Sequence, residues 1–333
     1  MDKIMMSHGS GGKAMHSLID SLFLKELDNK ILRRKSDSAI MAIGRENLAF
    51  TTDSYVVSPI VFPGGDIGSL AVHGTVNDLS VSGAKPLYLS LGLVIEEGFD
   101  KKTLYKIVKS ISTAAKKAGV LIVTGDTKVV EKGSCDKIFI NTSGIGRVYY
   151  PGLSTDRIKP GDAVIVSGGL GEHAIAVLSK REGISFGTKV KSDSASLNGL
   201  IAGALRVSRN VRLMRDPTRG GLGTTLNEIV AGGRFGIALE EKDIPVSEGV
   251  REACELLGFD PLYLACEGRV IFIAAFKDAS RIIKALKSDS LGKGARVIGR
   301  VTSDHKGKVC MRTISGGLRL VDMLSGEQLP RIC

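Results

Sequence analysis

Segments with strand character alternate with segments of helical periodicity along most of this sequence. In the first half, helices are predicted over 67–82 and 102–118, between strands over 47–52, 87–95, 120–123 and 137–147. The strand over 120–123 is predicted to be short and buried. In the second half, strands near 163–167, 235–239, 269–275 and 296–301 alternate with helices near 171–182, 195–208, 221–231, 247–257 and 278–287. Such alternation is typical of mixed α/β proteins. We therefore predict an α/β (α+β) fold class.

Turn-forming residues around position 155 indicate a domain boundary. A Tyr-Pro-Gly sequence at 150–152 and a Lys-Pro-Gly-Asp sequence at 159–162 bracket this position. The chain has 333 residues, 43% of them hydrophobic, which is enough for two separate cores. We predict an N-terminal domain over 1–155, a C-terminal domain over 156–322 and a flexible tail over 323–333.

Composition argues against several classes of protein. Apolar stretches stay well below the roughly 18–20 residues that cross a bilayer, and no signal-peptide core follows Met1. We expect a cytoplasmic protein with no membrane partner. The cysteines include no CxxC pair, which argues against a disulfide framework or a structural zinc site. The net charge of +11 is scattered and only 5% of residues are aromatic, which favours a small polyanionic ligand over nucleic acid.

Three aspartates lie at element ends or within apolar sequence. Asp53 follows a predicted strand, Asp78 lies on an apolar helix, and Asp126 follows another strand. A carboxylate in apolar surroundings is costly unless it is paired or bound to metal. Mg²⁺ prefers hard oxygen ligands and often combines one or two carboxylates with substrate phosphates. The three together favour a magnesium site, whereas helix capping and turn formation explain any one of them alone.

A glycine-rich segment near the N-terminus is a candidate phosphate-binding loop. It comprises Gly9, Ser10, Gly11, Gly12 and Lys13, directly before a segment of helical periodicity. Backbone N–H groups of such a loop can surround a triphosphate. The GxxxxGK[ST] spacing of a Walker A motif is absent, and a flexible terminus is an equally good explanation.

A third motif combines charged residues and glycines at a helix start. Arg215, Asp216, Arg219 and Gly220 lie in the sequence RDPTRGGLG at 215–223. This turn could receive a phosphate or a second metal ion. The alternative is a capped helix in which Asp216 is the N-cap and Arg219 is solvated.

Lys128 and Glu267 are each flanked by apolar sequence. Buried ionisable groups need partners, so a lysine and a glutamate in one cleft would form an acid/base pair. Structural ion pairing is the alternative for both.

Taken in order, these segments resemble the AIR-synthase-like (PurM-like) ATP-binding superfamily. The Pro-Arg-Ile-Cys sequence at 330–333 is similar to that of the HypE family of hydrogenase maturation factors within it. The resemblance covers essentially the whole chain. It implies a homodimer in which strands of two N-terminal domains form one β-barrel, with a C-terminal α/β domain packed beside each.

The resemblance also implies a cleft that holds ATP and Mg²⁺. The implied metal ligands are Asp53, Asp78 and Asp126, together with Asp37, the single acid in a segment that often carries two. The implied nucleotide-binding residues are Gly9, Ser10, Gly11, Gly12, Lys13, Asp53, Asp66, Asn77, Asp78, Asp126, Thr127, Asp216, Arg219 and Gly220.

In this family the terminal cysteine, here Cys333, receives a carbamoyl group from the partner HypF. The enzyme then dehydrates the thiocarboxamide to a thiocyanate with ATP, and the cyano group passes through the HypC–HypD complex to the iron of nickel–iron hydrogenase. The resemblance places Lys128 on the oxygen side and Glu267 on the nitrogen side of the reacting group. The alternatives are another PurM-like kinase or synthetase, such as a selenophosphate synthetase or thiamine-phosphate kinase, and a non-enzymatic scaffold that presents Cys333.

Overall fold

The N-terminal half of the chain folds around one mixed sheet. The computed structural model describes residues 3–184 and 189–324. The helices are α1 (Lys13–Leu18), α2 (Leu24–Glu26), α3 (Ile67–Val81) and α4 (Lys101–Ala118). The strands are β1 (Ala39–Ile43), β2 (Glu46–Tyr55), β3 (Val61–Phe62), β4 (Gly65–Asp66), β5 (Ala84–Glu96), β6 (Leu121–Val130) and β7 (Ile138–Val148). The sheet order is β1-β2-β7-β5-β6, with β5 and β6 parallel and the other neighbours antiparallel, while β3 and β4 form a separate hairpin.

Helix α3 lies at the centre of the molecule. Asp66 is its N-cap, and the Asp66 side chain accepts a hydrogen bond from Ser69 N at 2.8 Å. The helix packs against β2, β5 and β7 on its sheet side, and it also contacts α4 and the C-terminal half of the chain. An apolar helix enclosed on all sides is expected from its sequence, since it lacks a polar face. Its polar residues are therefore carried into the interior.

The C-terminal half folds around a second sheet. Its strands are β8 (Ala163–Val166), β9 (Val211–Arg215), β10 (Gly236–Glu240), β11 (Ile271–Ala274), β12 (Arg296–Thr302), β13 (Val309–Arg312) and β14 (Leu318–Val321). Its helices are α5 (Glu172–Glu182), α6 (Asn198–Val207), α7 (Gly221–Val230), α8 (Glu248–Leu257) and α9 (Ala279–Lys287). The sheet order is β14-β13-β10-β12-β8-β11-β9, and separate apolar clusters pack on its two faces. The predicted α/β class is confirmed.

One predicted element is wrong in length and in environment. The sequence suggested a short buried strand over 120–123, but β6 runs from Leu121 to Val130 at the edge of its sheet. Nine of its ten residues are exposed, including Val123 at 58% and Val129 at 67%. The physical reason is that helical cover of this edge is slight, because α4 makes few contacts with β6 and α3 makes fewer. Strands β1, β3, β4 and β9 were not predicted.

The link between the two halves runs from the end of β7 to the start of β8. A short 3-10 turn at Thr155–Arg157 lies within it, close to the predicted boundary, and the exact domain limits stay a prediction. Of the predicted tail, residues 325–333 lie outside the described residues. No helix in the described ranges is both long and apolar enough to span a membrane.

Substitution of Phe272 tests how much side-chain packing in the C-terminal core contributes to stability. Phe272 lies on β11, is 0% exposed and pairs with Ile165 and Met214 on the neighbouring strands. We expect Phe272→Ala to lower the free energy of unfolding by about 3–5 kcal/mol in urea denaturation, because it leaves a cavity. Phe276→Ala is the control: its ring is 46% exposed and lies 3.7 Å from the Arg300 guanidinium, so the loss should stay below about 1 kcal/mol. Equal losses would contradict this description of the core.

Candidate functional site

Acidic side chains from separate segments meet where the two domains face each other. Asp53 comes from β2 and Asp78 from α3, while Asp216 follows β9. Charge interactions link Asp78 with Asp37, Asp53 and Asp216, and link Glu267 with Asp53 and Asp216. We call these five residues, Asp37, Asp53, Asp78, Asp216 and Glu267, the acidic cluster. The acidic cluster therefore brings together predicted aspartates, Asp216 of the 215–223 motif and Glu267.

Hydroxyl groups hold Asp78 in place. Thr51 Oγ1 donates a hydrogen bond to Asp78 Oδ2 at 2.8 Å and lies 2.9 Å from the backbone oxygen of Asp37. Ser38 Oγ donates to the backbone oxygen of Asp78 at 3.0 Å. The segment that carries Asp37 is thereby joined to β2 and α3.

Two arginines oppose this negative charge. Arg219 Nη2 lies 3.1 Å from Asp53 Oδ1. Arg215 forms ion pairs with Asp37 Oδ1 and with Glu228 Oε2, each at 2.8 Å. Glu228 in turn lies 3.0 Å from Nε2 of His16 on α1. The network therefore connects the acidic cluster to the helix that follows the glycine-rich loop.

Sequence reasoning assigned no role to Glu228 or His16. Glu228 lies on α7, a helix that is otherwise mostly apolar, and this is the same signal that singled out Asp78. His16 has no comparable signal, because only the fold brings α1 against α7.

Burial and mutual repulsion change the acidity of the cluster. Burial, reinforced by Asp216, Asp37 and Asp53, raises the pKa of Asp78 well above its ordinary value. Burial and the charges of Asp216, Asp193 and Asp53 do the same for the pKa of Glu267. Burial and Asp37 raise the pKa of Asp216 to about 7. The arginines do not fully compensate the carboxylates, so the site favours an added cation.

The donor set fits a hard divalent cation. Its side-chain groups are carboxylate and hydroxyl oxygens, which Mg²⁺ prefers. Among residues 3–184 and 189–324, no three acidic, histidine or cysteine side chains converge closely enough to hold a metal ion by themselves. Phosphate oxygens of a bound nucleotide are the usual additional ligands in magnesium sites of this kind.

The glycine-rich loop packs directly against the site. A Cβ at Gly11, where φ is +83°, would lie 2.7 Å from Arg219 Cβ. A Cβ at Gly12 would lie 2.5 Å from the backbone oxygen of Leu324, which also accepts a hydrogen bond from Lys13 N at 3.1 Å. Glycine is therefore required at both positions. Gly9 ends a short 3-10 turn, and Ser10 Oγ donates to Met6 O at 3.1 Å.

The structure does not bring Asp126, Thr127 and Lys128 to the acidic cluster of the same chain. All three lie on β6, and the pairing register places Asp126 nearly level with Asp53 but three strands away, roughly 14 Å at the usual strand spacing. Lys128 Nζ pairs with Asp126 Oδ2 at 2.9 Å, and both side chains are 68% exposed. The expectation of a buried Lys128 paired with Glu267 is wrong for a single chain.

Other predicted nucleotide-binding residues have local roles in the fold. Asp66 caps α3, and Gly220, with φ of +72°, is the N-cap of α7. The capping alternative for Asp216 is therefore wrong, and Arg219 is paired with Asp53. The Asn77 amide bonds to three backbone groups. Nucleotide contacts by Asp66, Asn77 and Gly220 stay predictions.

Two family models match this chain. The N-terminal domain of AIR synthase related proteins matches residues 35–148, and the C-terminal domain matches residues 159–311. The fold and the acidic cluster between the two sheets thus define an AIR synthase related protein of the PurM-like class.

Relatives narrow the class further. Carbamoyl dehydratase HypE from Cupriavidus necator is 52% identical over 99% of this chain and 95% of its own length. The structure of hydrogenase maturation protein HypE in complex with ATP has a TM-score of 0.83 and 50% identity, covering 97% of this chain and 98% of that one. A HypE–HypF complex has a TM-score of 0.87 and 47% identity, covering 92% and 100%. The chain belongs to the HypE family of carbamoyl dehydratases.

The raised pKa of Asp216 predicts a pH-dependent stability. Between about pH 4 and pH 7 the folded chain keeps a proton on Asp216 that the unfolded chain has released, so stability falls as the pH rises through this window. In metal-free buffer, we expect Asp216→Asn to reduce this decline by up to about 4 kcal/mol, measured by urea denaturation at each pH.

Asp156→Asn is the control for this experiment. The Asp156 side chain is 80% exposed and forms a surface ion pair with Arg234. Removing its charge should leave the pH dependence of the free energy of unfolding unchanged. If the free energy of unfolding declined with pH as steeply in Asp216→Asn as in the unmodified protein, Asp216 would not be the group responsible.

Proposed function

We propose that this enzyme dehydrates a thiocarboxamide carried on its own Cys333 to a thiocyanate, at the expense of ATP. The product would supply the cyanide ligand of nickel–iron hydrogenase. The observation that carries the proposal is the contact between Lys13 N and the backbone oxygen of Leu324. It places the start of the cysteine-bearing segment against the glycine-rich loop, which itself packs against Arg219 of the acidic site.

The length of the following segment supports this placement. Nine residues, 325–333, follow Leu324 in the sequence. A fully extended chain of that length reaches roughly 30 Å, which is ample to carry Cys333 from the glycine-rich loop to the acidic cluster.

ATP and Mg²⁺ fit the charge and chemistry of this cleft. Asp53 and Asp78 would hold the metal, with Asp37 and Asp216 beside them, and the bound metal would neutralise charge on the transferred phosphoryl group. Arg219 and the backbone N–H groups of Gly11 and Gly12 would hold phosphate oxygens, whereas Lys13 N is bonded to Leu324 and Ser10 N to Ser7. The HypE relative whose structure contains ATP supports the nucleotide assignment.

The reaction needs a leaving group better than hydroxide. Transfer of the γ-phosphoryl group of ATP to the thiocarboxamide oxygen forms a C–O–P linkage, releases ADP and removes one N–H proton. Loss of the second N–H proton then forms the C≡N bond and breaks the C–O bond, releasing phosphate. Glu267 would accept a proton from nitrogen, because burial raises its pKa towards the range in which a carboxylate is an effective base.

We also propose a homodimer formed through β6. This ten-residue edge strand exposes Leu121, Val123 and Val129, and an exposed apolar edge strand is a template for pairing with another chain. Asp126 and Lys128 are too far from the acidic cluster of their own chain to act there. A symmetric partner would bring Asp126 of the partner subunit, and Lys128 of the partner subunit, to this site instead.

The remaining partners follow from the chemistry of the group on Cys333. HypF would load the carbamoyl group, as the complex of a HypE relative with HypF suggests. The HypC–HypD complex would accept the cyano group. We propose that the reaction takes place in the cytoplasm.

Intact-mass spectrometry tests the reaction. After incubation with HypF, carbamoyl phosphate and ATP, the unmodified chain should gain one carbamoyl group and then lose one water. Cys333→Ala should gain nothing, while Cys310→Ala, which changes a buried cysteine on β13, should behave like the unmodified chain. A carbamoylated chain that keeps its water in the presence of ATP and Mg²⁺ would refute the dehydration.

Subunit complementation tests the shared site. Asp126→Asn and Glu267→Gln should each slow water loss alone by about 100- to 10,000-fold, to a residual rate that single-turnover mass measurements resolve. Co-expressed, they should form mixed dimers with one native site, restoring about a quarter of the activity if pairing is random. No recovery in verified mixed dimers would mean that Asp126 acts within its own chain.

A further inference from the structure

Asn77 links the two domains beside the acidic cluster. It directly precedes Asp78 on α3 and is 1% exposed. Its Nδ2 donates to the backbone oxygens of Ala195, at 3.0 Å, and Glu267, at 3.2 Å. Its Oδ1 accepts from Leu197 N at 2.8 Å. Both amide hydrogens and the oxygen are therefore used on backbone of the C-terminal domain.

The peptide of Glu267 is also held from its other side. Asp193 Oδ1 accepts from Glu267 N at 3.2 Å, and Asp193 Oδ2 accepts from Gly268 N at 3.3 Å. The Asp193 side chain is 0% exposed and lies 3.6 Å from Arg269 Nε. A Cβ at Gly268 would lie 1.8 Å from the backbone oxygen of Asp193, so only glycine permits this approach.

We propose that Asn77 and Asp193 are positioning residues that hold Glu267 at a set distance from Asp78. The proposal rests on the proposed function, in which Glu267 is the base. Asn77 and Asp78 are consecutive on one buried helix, so the hydrogen bond from Asn77 to Glu267 ties the base to the phosphate-binding side of the site. Asn77 is thereby assigned to alignment of the base and not to contact with nucleotide.

Alignment at this level has large effects on rate. Proton transfer requires the base within hydrogen-bond reach of the N–H group. Displacement of a reacting group by about 1 Å can cost on the order of 100-fold in rate. Without Asn77, the Glu267 peptide loses its hydrogen bond to α3 and can move relative to that helix, although Asp193 still holds its other side.

The first test separates catalysis from nucleotide binding. In the full chain, carbamoylated on Cys333, we expect Asn77→Ala to slow water loss by about 10- to 100-fold in single-turnover mass measurements. The Kd for ATP with Mg²⁺ should stay within about twofold by calorimetry. A Kd weakened in proportion to the rate would overturn the proposal and indicate direct nucleotide contact.

Asn198→Ala is the matched control. Asn198 Nδ2 donates to the backbone oxygen of Ala118 at 2.8 Å, so it also joins the two domains through an asparagine amide, without contact to Glu267. It should leave the rate of water loss unchanged. An equal loss in both variants would mean that domain docking in general, and not Asn77, sets the rate. If Asn77→Ala does not fold, Asp193→Asn, which replaces one acceptor by an amide group, should show the same slow water loss with unchanged ATP affinity.

A double variant distinguishes failure of the two proposals. Adding Asn77→Ala to Glu267→Gln should not slow water loss further, because the effects of substitutions that act through one group are not additive. A full additional loss would show that Asn77 acts independently of Glu267 and would overturn the positioning role. A fully active Glu267→Gln would overturn the base assignment in the proposed function. Loss of activity in Glu267→Gln with a normal Asn77→Ala would overturn only the positioning role.

Discussion

Negative charge enclosed between the two domains is the constraint on which the rest of this site depends. Arg215 and Arg219 pair with Asp37 and Asp53, yet burial and repulsion still raise the pKa of Asp78 and Asp216. An enclosed cluster of this kind lowers stability unless a cation joins it. The same cost would account for the proposed affinity towards a metal-bound polyphosphate and for the expected fall in stability between about pH 4 and pH 7.

The buried helix α3 explains why both domains are needed for one site. Its apolar sequence places it between the first sheet and the C-terminal half, and this carries Asp78 and Asn77 into the boundary between them. Asp78 faces carboxylates of both halves, while the Asn77 amide bonds to backbone of the C-terminal half. Packing of one helix thus sets both the charge and the geometry of the site.

The exposed edge strand β6 carries predicted site residues that do not reach the acidic cluster of the same chain. Asp126 and Lys128 are of residue types used in ATP chemistry, but both side chains are 68% exposed, and their strand lies three strands from that of Asp53 in the same chain. Apolar residues on the same strand are exposed as well. A single interface with a second copy would satisfy both features, by covering the apolar edge and supplying the missing acid and cation.

Periodicity determined the α/β class and most helices, because amphipathic and apolar patterns are local properties of the sequence. Motif composition also marked the glycine-rich loop, the aspartates and the 215–223 turn. Only the tertiary structure decided which of these meet, since strand order places Asp53 within the acidic cluster and Asp126 three strands away. Likewise, the local sequence predicted that Val123 and Lys128 are buried. They are exposed because few helical residues cover this edge of the sheet, which is a non-local property.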